Sequence, residues 1–220
     1  MTRYDGWEGA LDKFKREGID MTTDTFATAP ALAGTPLTQQ EMDRALLYMD
    51  QTRKGILGAI KDVSEPQWTF KPAPERWSIA EIVEHVSFVL ERVTGPAREQ
   101  LLATPAAPAL PDYKRIDDII LNRFPNRLAK FPSPFQPSQG LTHAAALDRL
   151  SRSFVALEDY LKSTPDLRAH SLPAMPLKMV TNGAQEFMDG YQWILAVTAH
   201  TERHTKQILE LKGEADFPAR

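Results

Sequence analysis

Residues 77–90 read WSIAEIVEHVSFVL, and the pattern of this stretch decides the fold class. Ser78 followed three residues later by Glu81 is a capping box, in which each side chain satisfies a backbone N–H that the first turn of a helix leaves without a partner. Trp77 just before the cap and Ile82 inside it have the spacing of a hydrophobic staple. Beyond the cap, Ile79, Ile82, Val86, Val89 and Leu90 recur at the steps that paint one apolar stripe along a helix. Gly95-Pro96 should kink or interrupt this helix before it ends near Leu102. His85 lies well inside it, on the apolar side, flanked at helical spacing by Ile82, Phe88 and Val89.

Working outward, the same signals mark three more long helices. Thr38 and Glu41 form another capping box, and Met42, Leu46, Met49, Ile56 and Ile60 carry an apolar face to about Val63. A third helix is expected over 142–163, with Leu147, Leu150, Phe154, Leu157 and Leu161 on one side. A last one is expected over 187–212, with Tyr191, Ile194, Leu195, Thr198, Ile208 and Leu211. Two Pro-rich stretches, 104–111 and 124–140, exclude long regular structure and enclose a short amphipathic helix bearing Ile116, Ile119, Ile120 and Phe124. Residues 163–183 are irregular, with a short extended piece expected at LKMV, 177–180. Four amphipathic helices without a convincing period-two strand give an all-α fold, an antiparallel four-helix bundle with Pro-rich loops. The bundle is expected over 38–212. Residues 1–37 read as an N-terminal extension, partly helical and partly disordered, and residues 213–220 as a C-terminal tail.

Composition narrows the function. The chain has 220 residues, of which 42% are hydrophobic and 25% charged, the make-up of an ordinary globular protein with a packed core. A formal net charge of -3, with Lys and Arg scattered, leaves no electrostatic footprint for nucleic acid. No apolar run approaches the roughly 18 residues a spanning helix needs, so no membrane is expected as a partner. The start MTRYDGWEGALDKF lacks a secretory signal, and a cytoplasmic protein is expected. There is no cysteine. Any metal site must therefore be built from His and carboxylates, and any thiol chemistry must use a thiol from outside the chain.

The segment AHTERHTKQI places His200 and His204 four residues apart, one turn apart on the same helix face. That face continues through Trp193, Val197, Ile208 and Leu211, so both imidazoles should point inward. A buried imidazole has a donor and an acceptor to satisfy away from water, and a metal ion is one way to do so. His85 can face the same interior from its own helix. Three neutral imidazoles with an open position make the ligand set of a catalytic metal rather than a closed structural one. For any one histidine alone, a satisfied place in the core is the plainer account. The H-E-x-x-H protease motif does not fit: Glu202 follows His200 by two residues, roughly 200° around the helix, and points away from it.

The segment KPAPERWSIAEIVEHV around His85, with HTERHTKQI about 115 residues later, resembles the DinB-like superfamily, also called DinB/YfiT. Trp77, Ser78, Glu81 and His85 match its first motif; His200, Arg203, His204 and Gln207 match the second. The resemblance covers about residues 38–212. It implies a four-helix bundle that holds a divalent metal ion on His85, His200 and His204; an all-imidazole site accepts zinc, nickel or iron, and the sequence does not choose among them. Relatives include transferases and isomerases that use low-molecular-weight thiols such as bacillithiol, mycothiol or glutathione. The resemblance therefore implies a metal-dependent transferase acting on a small-molecule substrate with a thiol cosubstrate, and often a homodimer. A metal-dependent hydrolase and a non-catalytic metal-binding or dimerising bundle are the alternatives, and no catalytic base is identifiable. Among the remaining candidates, His143 and His170 are expected to be solvated surface residues, Glu81 to serve as a cap, Glu84 to be solvated, and Trp68 and Phe70 to pack. Asp189, eleven residues before His200, could approach one end of the pocket.

Overall fold

The computed structural model describes residues 36–126, 137–138 and 140–219. Most of the expected N-terminal extension, and the centre of the second Pro-rich stretch, lie outside the described residues. The elements, in chain order, are α1 (Gln39–Ile60), α2 (Glu65–Thr69), α3 (Ile79–Thr94), α4 (Pro96–Leu102), α5 (Tyr113–Arg123), α6 (His143–Ser163), β1 (Ser171–Pro173), α7 (Met175–Val180), β2 (Phe187–Asp189) and α8 (Gly190–Lys212). The four long helices α1, α3, α6 and α8 are the expected all-α bundle.

Both capping boxes read from the sequence are present. Ser78 Oγ accepts from Glu81 N at 3.2 Å while Glu81 Oε2 accepts from Ser78 N at 2.7 Å, and Thr38 and Glu41 pair in the same way. Glu81 also takes an ion pair from Lys71 at 2.9 Å. Helix α3 ends at Thr94 and α4 begins at Pro96, so the Gly95-Pro96 step does interrupt it. The helix is central: every residue from Ile79 to Ser87 is buried, between α6 on one side and α8 on the other, while α1 packs on α8 and α6. Fully enclosed Ile56, Ile60, Ile79, Ile82, Leu90 and Leu150 form the middle of the core, each contributing about 1.5–3 kcal/mol by leaving water.

Between α6 and α8 the chain differs from expectation. LKMV belongs to helix α7, whose first turn carries Pro176, a residue that presets the helical φ. The extended pieces are instead β1 and β2, an antiparallel pair in which Ser171 faces Asp189, Leu172 faces Met188 and Pro173 faces Phe187. Three-residue strands are too short to print an alternation, and their pairing spans the α7 turn. That turn closes at Asn182 and Gly183, both at positive φ, with Gly183 N bonded to the Lys178 carbonyl at 2.8 Å.

Helix α8 starts at Gly190, three residues later than expected. Asp189 and Gln192 form its capping box, with bonds of 2.8 and 2.9 Å. Gly190 N bonds the Leu167 carbonyl at 2.8 Å, and a Cβ at Gly190 would lie 2.9 Å from that same oxygen. Only glycine allows so close an approach. The next residue along the crossing chain, Arg168, is the pin of this end of the bundle. Its Nη1 donates to Asp117 and Asp189 at 3.0 and 2.9 Å, its Nη2 to Asp117 and Glu41 at 2.6 and 2.7 Å. The Tyr113 and Tyr191 rings each lie 4.4 Å from the guanidinium carbon. One side chain thereby joins the starts of α1, α5 and α8.

The tail after α8 also packs. Phe217 meets Phe70 edge-on with centroids 5.5 Å apart, and Gln67 Nε2 donates to the Pro218 carbonyl at 2.8 Å. Among the described residues, no helix is long and apolar enough to cross a membrane.

Candidate metal centre

The three histidines singled out by the sequence meet between α3 and α8. Helix α3 carries His85 in its second turn, and α8 presents His200 and His204 one turn apart. His200 Nε2 lies 3.1 Å from His85 Nε2 and 3.1 Å from His204 Nε2. One nitrogen from each ring falls within 4.8 Å of the others, and among the described residues this is the group so arranged. His204 meets each of the other two rings edge to face and His85 and His200 are tilted to one another, with centroids 4.4–5.0 Å apart.

The donor set fits a metal ion. Imidazole nitrogens at about 2.0–2.1 Å from a tetrahedral ion are separated from one another by roughly 3.3 Å, close to the spacing found here. The rings are also in the required neutral form. Burial pushes the His85 imidazole down to about 4. Burial holds His200 and His204 well below the usual range, and the neighbouring imidazoles and Arg203 act in the same direction. No proton has to be removed before such rings can ligate. His204 Nδ1 lies 2.9 Å from Gln207 Oε1.

His200 sits deep among packed atoms with its Nδ1 enclosed, and the residue as a whole is intermediate in exposure between buried His85 and His204 and the surface. Trp77, at the entry to α3, forms one wall: its ring is 4.9 Å from His85 and lies nearly parallel to His204 at 6.3 Å. The aromatic position next to the cap therefore belongs to the site. A groove of about 770 Å³ lies elsewhere, on the α5 side of α8 beside Glu202 and Lys206, and none of the three histidines lines it.

Glu202 points away from the cluster, as the helix geometry requires, and accepts from Tyr48 Oη on α1 at 2.7 Å. Glu84 departs from expectation. It is buried rather than solvated, and its carboxylate accepts from Ser138 N at 3.0 Å and Ser138 Oγ at 2.7 Å. Arg203, next to His204 and also buried, donates to the Asn126 carbonyl. The long connection from α5 to α6 is thus tied at Asn126 and at Ser138 to neighbours of two site histidines. Neither tie has a local signal, because both join residues more than fifty positions apart.

His143 and His170 lie outside the cluster but are not solvated surface residues. His143 packs on Trp68 with centroids 4.8 Å apart. His170 is buried and donates from Nδ1 to the Thr104 carbonyl at 2.8 Å. Trp68 packs as expected and donates to the Leu141 carbonyl at 3.3 Å. Asp189 does not reach the histidines; it is fully enclosed at the α8 cap and paired with Arg168. Its role could have been read from the Asp189-x-x-Gln192 spacing, a capping box like the other two.

The family profile described as the DinB superfamily matches residues 48–208, about three-quarters of the chain. The chain belongs to the DinB superfamily. The match takes in His85, His200 and His204 together with Trp77, Arg203 and Gln207, and it ends one residue after Gln207. No curated protein and no solved structure matches this DinB-superfamily chain significantly.

Proposed function

We propose that this DinB-superfamily protein holds a divalent metal ion on His85, His200 and His204 and works as a metal-dependent transferase that uses a low-molecular-weight thiol as cosubstrate. The observation that carries the reading is the convergence of three neutral Nε2 atoms from two helices. A further feature supports it: the three-histidine group contains no carboxylate, a donor set that suits a transition metal ion. When bound, the ion would supply Lewis acidity, lowering the pKa of a thiol so that the anion is available at neutral pH.

The chain's own contribution is binding and exclusion. The three imidazoles hold and do not relay protons, since a ligating nitrogen is no longer a base. Trp77 shields one side from water. With no cysteine in the chain, the sulfur must arrive as a separate molecule.

Elemental analysis of the purified protein beside His200→Ala tests the binding. About one divalent ion per chain is expected in the first and almost none in the second; equal content in both would overturn the site. Conjugation of small electrophiles with and without added thiols then tests the chemistry. Turnover that ignores thiol would overturn the transferase reading and point to hydrolysis.

A further inference from the structure

We propose that Gln207 is a positioning residue for the metal ion, which sets the tautomer of His204 so that Nε2 presents a lone pair to the site. This rests on the metal-binding reading above and extends it to a residue that does not itself touch the ion.

The argument starts from hydrogen-bond inventory. A neutral imidazole has one N–H, and the ring nitrogen without it is the one that can ligate. His204 Nδ1 lies 2.9 Å from Gln207 Oε1, an atom that can only accept, so Nδ1 carries the hydrogen and Nε2 is bare. The bare Nε2 is the atom 3.1 Å from His200 Nε2. Were the amide turned over, its NH2 would donate to Nδ1 and drive the hydrogen onto Nε2, into the space where an ion would sit. Ligation by His204 is then blocked without any movement of the helix.

Helix geometry makes the contact available before any ion binds. Gln207 follows His204 by three residues, the spacing at which side chains on one face meet. The pair lies within α8, so its geometry does not depend on loops. His200 lacks such an arrangement: its Nδ1 is buried and meets no hydrogen-bond partner among the described residues. His204 is thus the α8 ligand whose state the protein presets, and an acceptor on the outer nitrogen also makes the inner one a stronger ligand.

The test uses Gln207→Leu, which removes the acceptor, and Gln207→Glu, which keeps one. Metal affinity is measured by competition with a chromogenic chelator for zinc, and the His204 tautomer by long-range ¹H–¹⁵N correlation on metal-free protein. Gln207→Leu should bind zinc about 10–100-fold more weakly, and Gln207→Glu should restore affinity to within a few-fold of the parent. Metal-free parent and Gln207→Glu should both show the Nδ1–H form of His204, and Gln207→Leu should lose it. Equal zinc affinity in Gln207→Leu and the parent would overturn the proposal, as would an Nε2–H tautomer in the metal-free parent. A parent that binds no zinc would instead overturn the metal reading, while the tautomer comparison would still decide what Gln207 does to His204.

Discussion

Replacing Arg168 by alanine removes the cation shared by Asp117, Asp189 and Glu41, the first two buried and Glu41 partly exposed. In the native protein the guanidinium bonds Asp117, Asp189 and Glu41 at 2.6–3.0 Å and is itself 2% exposed, as are Asp117 at 5% and Asp189 at 0%. Water cannot take over these bonds without opening the joint between the starts of α1, α5 and α8. Breaking a buried ion pair by deleting one partner costs about 3–5 kcal/mol, since the remaining charges stay desolvated. For a chain of this size that is a fall in melting temperature of roughly 6–20 °C. The loss should also depend on pH. Without the cation, Asp189 loses the partner that draws its raised carboxyl back down and holds its proton still more tightly in the folded state, so the variant loses stability as pH rises. Chemical denaturation of parent and variant at pH 5 and pH 8 measures both effects. The gap between them should be larger at pH 8. A gap below about 1 kcal/mol, the worth of an exposed ion pair, would refute the reasoning. So would a gap of the same size at both values.

Asp189 by itself predicts a second pH effect. Burial pushes its carboxyl up, and although Arg168 and the Gln192 backbone pull it back, it stays raised to about 6 against the ordinary 3.8. A group raised on folding contributes stability that is complete below about pH 4 and is lost as pH rises through about 6. Asp189→Asn should therefore flatten the stability profile between those values, whatever it costs overall; an unchanged slope in denaturation series at pH 4, 5, 6 and 7 would count against the assignment. Glu202→Gln tests the orientation of α8. Because Glu202 bonds Tyr48 on the far side of the helix, the variant should keep the full metal content of the parent by elemental analysis, and loss of metal would place Glu202 at the site after all.

Much of this molecule was legible along the chain because it rests on short-range physics. The Ser78–Glu81 and Thr38–Glu41 caps, the Gly95-Pro96 break and the four apolar stripes depend on residues within a turn or two of one another, and such patterns survive reading one residue at a time. His200 and His204 belong to the same class, since a four-residue step on a helix fixes their common face. Even the Asp189–Gln192 cap, which moves the start of α8 to Gly190, is written locally.

Tertiary structure alone decided what meets what across the bundle. It set His85 Nε2 3.1 Å from a histidine 115 residues away, where apolar spacing said only that both faced the interior and the family resemblance alone put them in one site. It buried Glu84 with Ser138 as its partner and His170 with Thr104 as its partner, although polar residues without local partners read as solvated. It gathered Arg168, Asp117, Asp189 and Glu41 from four separate segments into one ion cluster. The reason is common to all of them: a local pattern reports which face of an element is apolar, but the environment of a polar atom is set by the elements that pack against it, and those come from anywhere in the chain.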